Sequence, residues 1–188
     1  MGKIILGSSS PRRADILKKL KLDFEIIPSP YVEPHDRTDF SYAYVEDLAY
    51  NKALEVAKIL NEQAQVIGAD TIVVIDNKIL GKPKDKQEAF EMLKMLSGKT
   101  HFVVTSIAVV NAPSLEFKIK STTTYVTFEQ LTDEQINYYI NNYKPFDKAG
   151  SYGIQELPEG YIKSFEGSLD NVIGLPSETL LEILESSN

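Results

Sequence analysis

The sequence predicts a mixed α/β fold, a twisted sheet flanked by helices, and three observations carry the prediction. Apolar residues recur at helical spacing in separate segments, among them Ile16, Leu17, Leu20 and then Val45, Leu48, Ala49, Ala53, Val56 and Leu60. Between such segments lie apolar β runs, of which Gln65 to Ile75, His101 to Val110 and Glu116 to Phe128 are long enough to cross a wide sheet. No repeat, low-complexity tract or linker interrupts the 188 residues, so one domain over 1–188 is expected.

In chain order, residues 4 to 6 read as a short buried strand running into Gly7-Ser8-Ser9-Ser10-Pro11-Arg12-Arg13 and then a helix. Ser10 suits the N-cap, and Pro11 suits the first helical position, where its missing N–H costs nothing. A second strand, Phe24 to Ile27, precedes a loop over 28–40, and Ser41 caps a long amphipathic helix reaching Leu60. The run from Gln65 to Ile75 turns at Asp76-Asn77-Lys78 into a brief strand, Ile79-Leu80, which Gly81-Lys82-Pro83 ends. Asp85 and Glu88 form a capping-box pattern for a helix that stops after Leu96 at Gly98. The two long strands after it read as a hairpin about Asn111-Ala112-Pro113-Ser114. Thr132 and Gln135 box the start of a helix over 133–142, which Pro145 terminates. The tail predicts a turn from Ala149 to Gly153, a hairpin about Glu166-Gly167-Ser168 and a last helix from about Ser177.

Composition narrows the chemistry. At 188 residues, 43% of them hydrophobic, the chain is large enough to bury about 70% of the surface it exposes unfolded. It has no cysteine, which excludes disulfides, thiolate zinc sites and cysteine nucleophiles, and two histidines, His35 and His101, make no metal cage. No stretch approaches the ~20 apolar residues of a membrane span, and the apolar run after Met1-Gly2-Lys3 is too short for a signal peptide, so a cytoplasmic protein without a membrane partner is expected. The net charge of −7 opposes nucleic-acid binding, which needs a broad basic surface, yet it permits a small anion gripped by a few clustered cations.

Three places are odd for structure alone. The turn at 7–13 combines small residues, a helix start with unpaired N–H donors, and two arginines able to hold phosphate oxygens bidentately. The alternative is a capped helix with two solvated arginines. Lys52 sits on the apolar stripe of its helix, between Leu48 and Val56, and must either snorkel out or meet an anion. Asp70 lies inside an apolar strand, where a carboxylate is paired, metal-bound or catalytic, or else satisfied by backbone amides. Gly68 and Ala69 before it leave room for a ligand near the backbone. Lys82 and Gln155 lie in loops, and the segment from Asp147 to Gln155 could offer a phosphate contact, a stacking ring in Tyr152 and a base-reading amide.

Taken in order, several segments resemble the Maf family of nucleotide pyrophosphatases, nearly end to end. They are Ile5 to Arg13, Glu33, Lys52, Gly68-Ala69-Asp70-Thr71, Leu80-Gly81-Lys82-Pro83, Leu96 to His101, Asp147 to Gln155 and Gly174-Leu175-Pro176. The resemblance implies a two-lobed mixed sheet like that of the inosine triphosphate pyrophosphatases, with a nucleoside triphosphate in the cleft between the lobes. Within the family, Arg12, Thr71 and Gln155 fit the branch acting on dTTP and UTP, where they would set specificity. Ser8, Ser9, Arg12 and Arg13 would bind the triphosphate, and Lys52 and Lys82 would assist catalysis. Asp70 would accept a proton and, with Glu33, hold a divalent metal, magnesium or manganese. A homodimer is expected from the family. The alternatives are the branch acting on 7-methyl-GTP, separable by a substrate panel, and a regulator of septum formation acting by partner binding, whose effect would survive loss of Asp70.

Overall fold

A computed structural model of the chain describes residues 2–34 and 37–186, so His35 of the sequence analysis lies outside the described residues. Its frame is a seven-stranded mixed sheet built on β3 (Ala64–Ile75), whose neighbours are β1 (Lys3–Leu6) on one side and β5 (Thr100–Ala112) on the other. Outside β1 runs β2 (Glu25–Ile26), parallel to it, and outside β5 run β6 (Phe117–Phe128) and β7 (Ile162–Glu166), both antiparallel. The short β4 (Lys78–Leu80) turns back on the far end of β3 through Asp76 and Asn77, both at positive φ, as a tight hairpin requires.

The helices cover both faces of β3, which is why its sequence reads as a nearly continuous apolar run instead of an alternating one. On one face, α1 (Pro11–Lys19) and α6 (Ser177–Glu185) bury Ile16, Leu17, Leu180 and Leu184 against Leu6, Ile67 and Ala69. Farther along the same face, α3 (Lys86–Leu96) and α4 (Asp133–Tyr143) bury Leu93, Leu96, Tyr139 and Ile140 against Val73 and Ile75. These two apolar clusters are the two lobes, and on β3 they part at Thr71. The opposite face carries α2 (Tyr42–Ala57), whose Ala49, Ala53 and Val56 rest on Ile5, Val66 and Ala108.

Most element expectations hold within a few residues, and four details differ for identifiable reasons. First, Asp85 accepts from the Glu88 N–H as expected, but Glu88 turns its carboxylate to the Lys84 N–H at 2.7 Å, so the box is only half made. Second, the segment Glu166-Gly167-Ser168 is a strand-to-helix turn and no hairpin, because Ser168 caps α5 (Leu169–Ile173) by accepting from the Asn171 N–H. Third, Gly68 gives no room to a ligand: a Cβ there would lie 2.2 Å from the Ala49 carbonyl oxygen and 2.6 Å from the Ala53 nitrogen, so the glycine admits α2. Fourth, Tyr152 offers no stacking face, being buried in the α3–α4 cluster with its hydroxyl 2.7 Å from His101 Nε2. The Thr132–Gln135 capping box is complete on both sides. Among the described residues no helix is long and apolar enough to cross a membrane.

Candidate active site

The site begins with an interruption in the sheet. β1 runs parallel to β3 and leaves it after the Leu6–Ile67 pair, whereas β4 runs antiparallel and leaves it after the Leu80–Val73 pair. Both chains depart toward the middle of β3, so its edge from residue 68 to 72 carries no neighbouring strand on that side. The Gly7–Ser10 turn approaches this gap from one end and Gly81-Lys82 from the other. Asp70 sits at its centre.

Helix α2 brings Lys52 over the gap. Its Nζ lies 2.5 Å from Asp70 Oδ1 and 2.6 Å from Glu33 Oε1, with the Lys52 and Asp70 side chains only 14% and 10% exposed. Lys52 therefore meets anions instead of snorkelling. Burial pushes the Asp70 carboxyl above the usual carboxylate range, and the charge and hydrogen bond of Lys52, then the charge of Arg13, oppose that push.

Arg13 comes from the first turn of α1. Its Nε donates to the Gly174 carbonyl at 2.9 Å, one terminal nitrogen to Ser8 Oγ at 3.3 Å and the other to Thr71 Oγ1 at 3.2 Å. Burial lowers the guanidinium pKa and the Asp70 charge raises it, but arginine stays protonated in proteins. Ser10 holds the N-cap position without a side-chain cap bond, and its own N–H is turned to Ser8 Oγ at 3.2 Å. With Pro11 bringing no N–H and Ser10 giving no side-chain cap, the start of α1 keeps its positive dipole end for an anion.

The other predicted residues lie around this centre. Arg12 is 3.4 Å from Asp147 Oδ2, a contact between α1 and the loop after α4. Arg12 and Gln155 line one hollow of about 340 Å³ with Ile16, Lys18 and Ile173. Thr71 is not in that hollow, its hydroxyl being engaged with Arg13, with Thr105 Oγ1 at 2.8 Å and with the Gly174 carbonyl at 3.4 Å. Ser9 and Lys82 are exposed, and Lys82 has no ion pair among the described residues. Lys148 is buried between Asp147 and Glu156, at 3.0 and 3.2 Å, and so is not available to a phosphate as it stands.

Sequence reasoning missed Asp147 as a partner of Arg12, the Gly174 carbonyl, and Thr105. A signal for the last existed: Thr105 and Ser106 interrupt the apolar strand Val103 to Val110 as Asp70 interrupts its own, and in register they stand opposite Thr71 and Asp70.

Asp70 and Glu33 converge on one ammonium, so both carboxylates already face one cationic position. No group of three or more histidine or acidic side chains that could hold a metal occurs among the described residues. A pair of carboxylates completed by water and phosphate oxygens fits magnesium or manganese better than a metal that demands an all-protein cage.

A family model described as Maf-like protein matches residues 3–187. The chain is 47% identical over 183 residues to a dTTP/UTP pyrophosphatase of Thermoanaerobacter sp. (strain X514), spanning 97% of this chain and 95% of that one. It is 44% identical over 189 residues to a dTTP/UTP pyrophosphatase of Ruminiclostridium cellulolyticum, spanning 100% of this chain and 97% of that one. Among solved structures it is similar to a HAM1 protein from Coxiella burnetii, with TM-score 0.54 at 18% identity over 99% of this chain and 100% of that one. The Staphylococcus aureus Ham1 protein gives TM-score 0.52 at 16% identity over the same shares. These two likenesses concern the fold.

Proposed function

The chain belongs to the Maf family, and from that membership and the geometry of the gap we propose that it hydrolyses dTTP and UTP to the monophosphate and pyrophosphate. One observation carries the reading: a lysine held between two carboxylates, one of them buried in mid-strand, beside an arginine and an uncapped helix start. The carboxylates offer a base, and the cations and helix N–H groups offer a seat for a triphosphate.

In this mechanism the triphosphate lies along the start of α1, gripped by Arg13 and by the Ser8 and Ser9 turn, with Arg12 and Lys82 at the rim. Asp70 takes a proton from water as its oxygen bonds to the α-phosphorus, and the bond from the α-phosphorus to the pyrophosphate oxygen breaks. Burial helps because a carboxyl with a raised pKa is a stronger base. Lys52 keeps Asp70 ionised and offsets charge on the transferring oxygens. Asp70 and Glu33 would hold a magnesium or manganese ion, which would supply further charge neutralisation at the phosphates. Arg12 and Gln155, in their shared hollow, would read the pyrimidine, and Thr71 would act on specificity through the arginine it holds.

The same reading takes the chain as one domain working in the cytoplasm as a homodimer, supported by the single seven-stranded sheet and the family membership. Light scattering after gel filtration tests the dimer. The reaction is tested by pyrophosphate release from the eight common nucleoside triphosphates and 7-methyl-GTP with magnesium or manganese. Hydrolysis confined largely to dTTP and UTP is expected. Preference for 7-methyl-GTP would overturn the substrate, and no release from any of them would overturn the reaction.

A further inference from the structure

Arg13 has five N–H groups. Three are spent on Gly174, Ser8 and Thr71, and among the described residues the remaining two, one on each terminal nitrogen, have no protein acceptor. A guanidinium so fixed presents a fork to a phosphate, provided its three anchors stay in register with one another.

Two of those anchors meet at Thr105. This residue is fully buried on β5, directly across from Thr71. Its hydroxyl donates to the Asn171 carbonyl at 3.0 Å, and a hydroxyl has only one proton to give. The 2.8 Å contact between Thr105 and Thr71 must then be donated by Thr71, whose one proton goes there in preference to the Gly174 carbonyl at 3.4 Å, already an acceptor for Arg13 Nε, and the Thr71 oxygen is left to accept from Arg13 at 3.2 Å. The order is one-way: Arg13 to Thr71, Thr71 to Thr105, Thr105 to the Asn171 carbonyl. Asn171 belongs to α5, which ends at Gly174, the acceptor for Arg13 Nε. The Asn171 side chain ties the same helix to the sheet through the Val103 carbonyl and Thr124 Oγ1, both at 3.0 Å.

We infer that Thr105 is a positioning residue for substrate: one buried hydroxyl fixes Thr71 and the end of α5 together and thereby aims the two unused N–H groups of Arg13 at a phosphate. The inference rests on reading the gap as a triphosphate site. A threonine retained for packing would tolerate valine, which has the same shape and a higher strand preference.

The test compares Thr105→Val, Thr105→Ser, Thr71→Val, Arg13→Ala and the double variant Arg13→Ala/Thr105→Val in two assays. One is dTTP turnover; the other is calorimetric binding of inorganic tripolyphosphate. For Thr105→Val, KM and the tripolyphosphate Kd are expected to rise about tenfold with kcat within about threefold, the cost of one misdirected charged hydrogen bond. Thr105→Ser keeps the hydroxyl and restores both to within about twofold. In the Arg13→Ala background the valine adds nothing, because the effect passes through Arg13. Should Thr105→Val fail to fold, Thr71→Val carries the same expectation by removing the arginine's acceptor directly. Unchanged tripolyphosphate binding in the valine variants overturns the inference, as does an equal loss with and without Arg13 or a serine variant that does not rescue. If the wild type hydrolyses no nucleoside triphosphate but the binding arm behaves as expected, the proposed reaction fails and the positioning role stands.

Discussion

Replacing Asp70 by asparagine changes one oxygen to an amide and separates the chemistry of this site from its architecture. Lys52 is not orphaned by the change, since it keeps Glu33 at 2.6 Å. The ~3–5 kcal/mol cost of breaking a buried ion pair and stranding a charge is therefore not incurred. Around the gap the wild type sets Lys52 and Arg13 against Asp70 and Glu33, and the variant leaves one more cation than anion. Metal-free tripolyphosphate should bind as well or better, whereas a metal-loaded nucleotide also loses one of the two carboxylates assigned to its ion. Loss of the base is expected to lower kcat by about 10²–10⁴-fold, about 3–5 kcal/mol of barrier. Stability carries a second signature. Burial raises the Asp70 pKa above its unfolded value, so its contribution to stability is present below the unfolded pKa and is lost as pH rises through the folded one. At neutral pH the variant should consequently be at least as stable as the wild type, with the advantage shrinking toward acid. Steady-state kinetics on dTTP, calorimetric binding of tripolyphosphate without metal and thermal melts across pH read these effects. A kcat within a few-fold of wild type would remove Asp70 from the mechanism, and weaker metal-free tripolyphosphate binding by the variant would refute the charge argument.

Lys52→Met should move the acid limb of the kcat/KM profile to higher pH, because the lysine is the main force holding the Asp70 carboxyl down, and should cost about 10²-fold in turnover; an unmoved limb refutes the coupling. His101 is buried and its pKa is lowered to about 4 by burial. A histidine whose folded pKa is depressed gives stability that is present above its unfolded value of 6.5 and lost as pH falls through the folded one. Wild-type stability should thus drop by about 3 kcal/mol between pH 6.5 and 4 relative to His101→Gln, measured by urea denaturation at each pH, and equal slopes for the two proteins would sink the assignment. Gly68→Ala should destabilise by at least about 1–3 kcal/mol, since the added Cβ meets backbone atoms of α2 at 2.2 and 2.6 Å and something must shift. A denaturant midpoint equal to wild type would mean that α2 does not pack as described.

Helices and strands were legible where a local rule acts alone. The capping box at Thr132, the glycine stop at Gly98 and the tight turn at Asp76 depend on a few neighbouring residues, and each forms as its sequence indicates. In sequence Glu166-Gly167-Ser168 suits a hairpin or a helix cap equally, and the cap forms in a tertiary setting where the Thr124 hydroxyl accepts from the Ser168 N–H at 3.0 Å. Tyr152 and Gly68 failed as ligand contacts for a related reason. Ring and glycine look the same in a sequence whether their neighbour is a substrate, a histidine or a helix.

What the sequence determined by itself was the set of misfits: an aspartate in an apolar strand, a lysine on an apolar helix stripe and arginines at an uncompensated helix start. Each is costly in its own local environment, and that cost is visible without knowing the partner. What only the tertiary structure decided was how the misfits pay one another off. Lys52 and Asp70 are 18 positions apart and Arg13 and Thr71 are 58 apart. They meet because β1 and β4 run toward each other along β3 and stop short, a property of strand direction and register that no local pattern encodes. The direction of Arg13 depends on a hydroxyl on a third strand and a carbonyl on α5. Hydrogen bonds act over about 3 Å of space regardless of distance along the chain, so the grouping of these residues is set by the fold and their individual chemistry by the sequence.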